Sequence, residues 1–286
     1  MNDPFLARSW PVARGRTLCL GPRARLMGIV NVTPDSFSDG GRFGGSVALA
    51  VEAGLRLEEA GADILDIGGE STRPGADPVD PDEEVRRVVP VIEALSARTN
   101  CLLSVDTYRA RTARLAVEAG AHIINDVWGA QRETELARVA AQTGAGLCLM
   151  HTGRERETLA DVVADQFAFL RRSLRIAGEA GVEPEAIVLD PGFGFAKSAA
   201  ENFDLLLRTR ELLRLGHPLL VGTSRKRFVR GALPDGIEGQ DRASAATSVM
   251  LRERGAAIFR VHDIPSSRDA LALVDAAYGR AWENVS

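Results

Sequence analysis

Short apolar runs alternate along the chain with longer segments in which hydrophobic residues recur at helical spacing. Each run has at most six residues and is apolar almost throughout, which is typical of a parallel strand covered on both faces. In chain order the runs are RLMGIV, DILDIG, LLSVD, HIINDV, GLCLM, AIVLD, PLLVG and AIFRV. The pattern therefore predicts an α/β fold with a parallel sheet.

The intervening segments carry the start and stop signals of helices. In DPDEEVRRVVPVIEAL, Asp80 is suited to the N-cap, Pro81 to the first helical position, and acidic residues follow in the first turn. The segment ENFDLLLRTRELLRLG closes on Gly216, a residue type that favours helix C-termini. We expect one helix in each of these segments.

About eight strand–helix repeats over roughly 250 residues match a TIM (β/α)8 barrel. A doubly wound open sheet is the competing fold, but no glycine-rich dinucleotide fingerprint follows the first run, and polar residues end nearly all the runs. We predict a single domain over residues 1–286, with the barrel in 25–286. Residues 1–24 are expected to form a short N-terminal β-hairpin, turning at Gly15, that closes the N-terminal mouth of the barrel.

Composition narrows the possible partners. The net charge is −4 and the isoelectric point is near 5.7, which argues against nucleic acid or an acidic membrane surface as a partner. No apolar stretch approaches the roughly 18 residues of a membrane span. The three cysteines are scattered and show no metal spacing. These features predict a cytoplasmic protein.

Polar side chains cluster at the ends of the apolar runs. In a barrel these ends converge on one pocket. The residues at or just after successive runs are Asn31, Thr72 with Arg73, Asp106, Asn125, His151, Asp190, Lys226, and Arg260 with His262.

Sorted by charge, these residues predict two recognition surfaces. Asp106, Asn125 and Asp190 offer acceptors that match the N–H edge of a flat 2-amino-4-oxo heterocycle. The remaining cationic and hydrogen-bonding groups suit a phosphate, whose site in many barrels lies beside the last two strands. They are Arg73, Lys226, Arg260 and His262.

Two residues near these ends stay open at this point. Asp35, in the polar segment after the first run, suits either a turn or a contact to the site. His151 is compatible with a buried structural role or a functional one, and we leave it out of the predicted catalytic set.

Seven motifs resemble the dihydropteroate synthases, enzymes of folate biosynthesis. In order, and over nearly the whole chain, they are GIVNVTPDSFSDGG, DIGGESTRPGA, SVDTYRA, IINDV, LDPGFGF, GTSRK and RVHD. The resemblance implies a TIM-barrel transferase, usually a homodimer. Such an enzyme joins 6-hydroxymethyl-7,8-dihydropterin diphosphate to 4-aminobenzoate and releases diphosphate with Mg²⁺ present.

The same resemblance assigns roles to matching positions. The implied pterin-binding residues are Asp106, Asn125, Asp190, Lys226 and Arg260. The implied diphosphate-binding residues are Asn31, Arg73, Arg260 and His262, with Asn31 also the Mg²⁺ ligand. The implied 4-aminobenzoate-binding residues are Phe37, Thr72, Arg73, Pro74, Phe195, Ser224 and Lys226. Among all these, Asn31, Lys226 and Arg260 are the expected catalytic residues. The chain has MHTGR where this family more often has MHMQG, so the loop after the fifth run receives no role.

The chemistry of the residues is consistent with an SN1-like substitution. Diphosphate is an excellent leaving group once its charge is neutralised, and an arylamine is neutral at pH 7, so no general base is required. Two alternatives stay open. A methyltetrahydrofolate–corrinoid methyltransferase would need no diphosphate site, and a catalytically silent paralogue would keep only pterin binding. A synthase would also be a sulfonamide target, because sulfonamides mimic 4-aminobenzoate.

Overall fold

A computed structural model describes residues 3–32, 43–71, 78–233 and 239–278, with residues 43–46 described by their backbone alone. Eight parallel strands form a closed barrel in the order β10-β3-β4-β5-β6-β7-β8-β9. The barrel strands are β3 (Arg25–Asn31), β4 (Ile64–Gly68), β5 (Leu102–Asp106), β6 (Ile123–Asp126), β7 (Gly146–Met150), β8 (Ile187–Asp190), β9 (Leu219–Val221) and β10 (Ala256–Val261). The predicted barrel is confirmed, and the open doubly wound sheet is wrong.

Helices follow the strands and cover the outside of the barrel. The described helices are α1 (Phe43–Glu59), α2 (Pro81–Ser96), α3 (Ala110–Ala119), α4 (Glu135–Thr143), α5 (Val162–Glu179), α6 (Ala199–Arg208), α7 (Arg227–Gly231), α8 (Gln240–Glu253) and α9 (Ile264–Tyr278). Short 3₁₀ helices span Pro184–Ala186 and Thr209–Leu215. Among the described residues, no helix has the length and apolar character that a membrane span requires.

Two predicted helices show how local chemistry sets their limits. The N-terminus of α2 is as predicted, because the Asp80 side chain accepts hydrogen bonds from the backbone of Asp82 and Glu83. The helix predicted to continue to Gly216 instead changes to 3₁₀ geometry at Thr209. There the Thr209 hydroxyl donates to the Leu205 carbonyl at 2.7 Å, occupying an acceptor of the last α-helical turn.

The predicted N-terminal hairpin consists of β1 (Arg8–Val12) and β2 (Arg16–Leu20). Arg14 and Gly15 both have positive φ, at 61° and 64°, which is the geometry of a type I′ hairpin turn. Trp10 is fully buried and donates from Nε1 to the Ala186 carbonyl at 2.9 Å. It packs in one cluster with residues from all eight barrel strands: Met27, Ile64, Leu102, Ile123, Cys148, Val188, Leu220, Ala257 and Ile258.

The hairpin therefore closes the N-terminal end of the barrel. At β7 a side chain at Gly146 would lie 2.7 Å from Val12 and 3.0 Å from Trp10, so the hairpin rests directly on the strand backbone. This leaves the carboxyl ends of the strands as the open end of the barrel, where TIM-barrel enzymes carry their sites.

Candidate active site

Strand register places the predicted acceptors side by side at the carboxyl end. Asp106 at the end of β5 pairs with Asn125 of β6 and, on its other side, with Gly68 of β4. Asp190 ends β8 and pairs with Met150 of β7. Asp106, Asn125 and Asp190 are all buried. The barrel thus gathers the acceptors that the sequence left far apart.

Arg260 lies among these carboxylates. Its Nε donates to Asp66 Oδ2 at 2.6 Å, and one terminal nitrogen donates to Asp106 Oδ2 at 2.8 Å. Because β10 neighbours β3 in the closed barrel, the long Arg260 side chain spans β3 to reach β4 and β5. The two predicted surfaces, acidic and cationic, therefore meet at Arg260.

Asp66 is a site residue that the sequence reasoning missed. Its side chain is fully buried, and Oδ2 also accepts from the Asn125 amide at 3.1 Å. Asp66 Oδ1 and Ser104 Oγ are buried without a hydrogen-bond partner among the described residues. Asp66 stands within the run DILDIG, and the signal was a charged residue inside an otherwise apolar strand.

Burial and neighbouring charges compete in setting the ionisation of these acids. Burial raises the pKa of Asp106, while the positive charge of Arg260 opposes that increase. Burial also raises the pKa of Asp190, opposed by Lys226 and by the Gly192 N–H, which donates to Asp190 Oδ1 at 2.7 Å. The cations therefore favour the charged carboxylates that a pterin edge requires.

Lys226 sits against the loop that follows β8. Its ammonium donates to the Phe193 carbonyl and lies 4.7 Å from the centre of the Phe195 ring. A side chain at Gly194 would come within 3.0 Å of the Lys226 stem, so this glycine permits the close approach. Burial lowers the pKa of Lys226 to about 8, although Asp190 acts in the opposite direction.

Ser224 and His262 form a pair between the loop after β9 and the end of β10. Ser224 Oγ lies 3.0 Å from His262 Nδ1 and accepts the His262 backbone N–H at 3.2 Å. Arg225, which follows Ser224 in the chain, is exposed and pairs with Asp241 at 2.8 Å. The structure thus brings a predicted 4-aminobenzoate residue against a predicted diphosphate residue.

The other predicted site residues divide between described and undescribed segments. Asn31 ends β3, beside Gly68 of β4 and next to the strand that carries Arg260. The predicted residues Phe37, Thr72, Arg73 and Pro74, and the open candidate Asp35, lie outside the described residues.

His151 belongs to a buried polar network instead of standing alone. Its Nε2 lies 2.8 Å from Asp165 Oδ2, and its Nδ1 lies 2.9 Å from Lys197 Nζ. Burial lowers the pKa of His151 to about 4, so the imidazole is neutral at pH 7. Lys197, which contacts His151, is a second residue that the sequence analysis did not identify.

At Asn31 the described residues offer one amide oxygen for a metal ion, so the substrate would have to supply further ligands. Among the described residues, no group of three or more His, Cys, Asp or Glu side chains could hold a metal ion. Mg²⁺ commonly uses one or two protein oxygens and completes its shell with water and substrate phosphates. The Asn31 amide oxygen at the strand end is compatible with that arrangement.

Comparison with known proteins agrees with this geometry. Residues 27–262 match the family model described as pterin binding enzyme. The dihydropteroate synthase of Clostridium beijerinckii is 41% identical over 90% of this chain and 95% of its own length. The Xanthomonas albilineans dihydropteroate synthase solved with 4-aminobenzoic acid has a TM-score of 0.86 and 44% identity, covering 94% of this chain and 98% of that one.

The Xanthomonas albilineans enzyme was also solved in complex with 7,8-dihydropteroate. That structure has a TM-score of 0.82 and 42% identity, and covers 94% of this chain and 99% of that one. The residues matched by the family model, 27–262, include all the described site residues, from Asn31 to His262. The chain therefore belongs to the pterin-binding enzyme family and, within it, to the dihydropteroate synthases.

Proposed function

We propose that the chain condenses 6-hydroxymethyl-7,8-dihydropterin diphosphate with 4-aminobenzoate, giving 7,8-dihydropteroate and diphosphate. The observation that carries this is the buried set of acceptors, Asp106, Asn125 and Asp190, at the open end of the barrel beside Arg260 and Lys226. The acceptors are suited to bind the N–H edge of a heterocycle, and the two cations are suited to stabilise a departing anion.

The pterin ring binds to Asp106, Asn125 and Asp190. Each carboxylate accepts from ring or amino N–H groups, and such charge-assisted hydrogen bonds contribute about 1.5–3 kcal/mol each. Arg260 and Lys226 complete the ring site, because their positive charges oppose the rise in the pKa of Asp106 and Asp190 that burial causes. The buried carboxylate of Asp66 pairs with Arg260 Nε at 2.6 Å and so fixes the position of the guanidinium.

The diphosphate binds where β10 and β3 lie side by side. Asn31, Arg260 and His262 come from these neighbouring strands, and Arg73 is the proposed fourth contact. Asn31 would also hold Mg²⁺, which neutralises the charge of the departing diphosphate when bound.

4-Aminobenzoate binds beside the pterin's methylene carbon, between Lys226, Phe195 and Ser224. The 4.7 Å contact between the Lys226 ammonium and the Phe195 ring supplies a flat apolar wall next to a cation, which suits an aromatic carboxylate. Phe37, Thr72, Arg73 and Pro74 are proposed to complete this subsite.

The reaction breaks the bond between the methylene carbon and the diphosphate oxygen, and the bonding electron pair leaves with the diphosphate. The cation left behind is delocalised into the dihydropterin ring, where the carboxylates of Asp106 and Asp190 favour the developing charge. The neutral arylamine nitrogen then bonds to the carbon and releases a proton to solvent. Positioning and electrostatics supply the acceleration, without a general base.

The chain is also proposed to act as a homodimer in the cytoplasm. Phe203 and Leu207 are exposed and lie four residues apart on α6, on one face of the helix, where a second copy could cover them. Light scattering coupled to gel filtration tests this: a monomeric mass at micromolar concentration would contradict it.

Release of diphosphate from the dihydropterin substrate, measured with and without 4-aminobenzoate, tests the proposed reaction. We expect release that requires the amine and saturates with it. A silent paralogue would bind the pterin without release, and a methyltransferase would act on methyltetrahydrofolate and not on the diphosphate. Absence of amine-dependent release would contradict the synthase.

A further inference from the structure

The chain contains only two lysines, against 33 arginines. Lys226 belongs to the site described above, but Lys197 has no role in the proposed reaction. Lys197 stands at the end of the segment 191–197, which follows β8 and forms the wall beside Lys226. We call this segment the β8 loop.

The Lys197 ammonium crosses the base of the β8 loop. It donates to the Gly192 carbonyl at 2.9 Å and to the Phe195 carbonyl at 3.4 Å, and it lies 2.9 Å from His151 Nδ1. The Lys197 nitrogen therefore contacts Gly192 near the beginning of the β8 loop, Phe195 near its end, and His151 directly after β7.

His151 gives Lys197 a fixed partner. An ammonium group only donates, so Nδ1 accepts from Lys197. On the other side of the ring, Nε2 lies 2.8 Å from Asp165 Oδ2 and 2.9 Å from a terminal nitrogen of Arg156. Asp165 is in turn bound bidentately by Arg156, and the His151 backbone N–H donates to the Asp190 carbonyl at 2.8 Å. The imidazole cannot turn without breaking these bonds.

The other face of the β8 loop contacts Lys226. The Phe193 carbonyl accepts from its ammonium, and the Phe195 ring stands 4.7 Å from it. Lys197 binds the carbonyls of Gly192 and Phe195. Gly192 directly precedes Phe193, whose carbonyl binds Lys226, and Phe195 itself carries the ring that contacts Lys226. Movement of the Phe195 carbonyl would carry the ring with it.

We propose that Lys197, held by His151, is a positioning residue that fixes the Phe195 ring and the Phe193 carbonyl against Lys226 and so shapes the 4-aminobenzoate subsite. This inference rests on the proposed function, because that function assigns Lys226 and Phe195 to the amine substrate.

Other contacts hold the loop backbone when Lys197 is replaced. Gln166 donates to the Pro191 carbonyl at 3.0 Å, and the Gly194 N–H donates to Asn202 at 2.7 Å. A Lys197→Met variant keeps the aliphatic stem and loses only the donors. We therefore expect it to fold, with the ring and carbonyl around Lys226 less precisely placed.

Steady-state kinetics test the inference in the full chain. For Lys197→Met we expect the KM for 4-aminobenzoate to rise roughly tenfold while the KM for the pterin diphosphate changes less than about twofold. Thr209→Val is the matched control, since it removes a buried hydroxyl bonded at 2.7 Å near the end of α6, away from the β8 loop. Its KM values should equal those of the wild type.

NMR with lysine labelled at Cε and Nζ gives a readout that does not depend on activity. The wild type should show two lysine side-chain signals, and Lys197→Met should keep only that of Lys226. If the Lys226 ammonium loses its contact with the Phe195 ring, the Lys226 signal should move toward the position of a solvent-exposed lysine.

An unchanged Lys226 signal, or equal changes in both KM values, would overturn the inference, even if the variant lost thermal stability. If the wild type shows no amine-dependent release, the proposed function fails instead, and the NMR signal still decides whether Lys197 positions Lys226.

Discussion

The Arg260 guanidinium lies 2.6 Å from the carboxylate of Asp66, which is fully buried beneath the site. Asp66 also accepts from Asn125 at 3.1 Å, so one buried acid orients two predicted pterin residues. A hydrogen-bonded carboxylate in this place limits where the guanidinium can point.

Asp66→Asn should reduce kcat/KM for the pterin diphosphate by roughly 10- to 100-fold, because Arg260 keeps its contact with Asp106 but loses the charged partner that fixes its Nε. The negative charge of Asp66 contributes to the raised pKa of Asp106, so that pKa should fall in the variant. Initial rates and carboxyl-carbon NMR measure the two effects. Asp241→Asn, at the exposed Arg225 pair, is the control. Wild-type kinetics in Asp66→Asn would mean that Arg260 does not need this partner.

Lys226 should set the alkaline limb of the pH profile. Its pKa is lowered to about 8, so the ammonium is present below that pH and is lost above it. We expect kcat/KM to fall as the pH rises through about 8. Lys226→Met should lower kcat by roughly 100-fold or more and remove this limb, with an unchanged circular dichroism spectrum. A limb that persists in the variant would assign the titration to another group.

Asp190→Asn should weaken the pterin far more than the amine. The buried Asp190 carboxylate is proposed to bind the ring, and loss of its charge removes a charge-assisted hydrogen bond, worth roughly tenfold or more in affinity. Isothermal titration with the pterin substrate, followed by 4-aminobenzoate in the presence of diphosphate and an unreactive pterin, separates the two affinities. Equal losses for both would contradict the assignment.

Arg109 should matter for stability. It pairs with Glu70 at 2.8 Å and with Glu84 at 3.0 Å, and the Glu84 side chain is only 1% exposed. Arg109→Met leaves a buried acid without its cation and should lower the free energy of unfolding by about 3–5 kcal/mol. Arg111→Met, two residues away, removes an exposed pair with Asp82 and should cost no more than about 1 kcal/mol. Urea unfolding measures both, and similar losses would contradict the distinction.

The sequence predicted the barrel well because each strand is signalled locally, by an apolar run ended by a polar residue. The register of Asp106 beside Asn125 follows from that pattern once the barrel is accepted. The contact of Arg260 with Asp66 and Asp106 could not be predicted, because it depends on barrel closure and on the reach of one long side chain across β3.

The missed residues share a physical cause. Asp66 is hidden in a strand whose other positions are apolar, and its importance appears only when Arg260 is found 2.6 Å away. Lys197 lies on a loop, and the sequence does not show that its ammonium meets His151, 46 residues earlier. The roles of all the predicted site residues stay predictions: Asn31, Phe37, Thr72, Arg73, Pro74, Asp106, Asn125, Asp190, Phe195, Ser224, Lys226, Arg260 and His262.

The central claim is that this barrel joins a pterin diphosphate to an arylamine, and it is tested most directly by measuring both products in one reaction. With the dihydropterin diphosphate, 4-aminobenzoate and Mg²⁺, we predict that 7,8-dihydropteroate and diphosphate form in equal amounts, at a rate that saturates with the amine and is almost abolished in Lys226→Met. Diphosphate release that is independent of the amine, or no dihydropteroate at all, would contradict the claim.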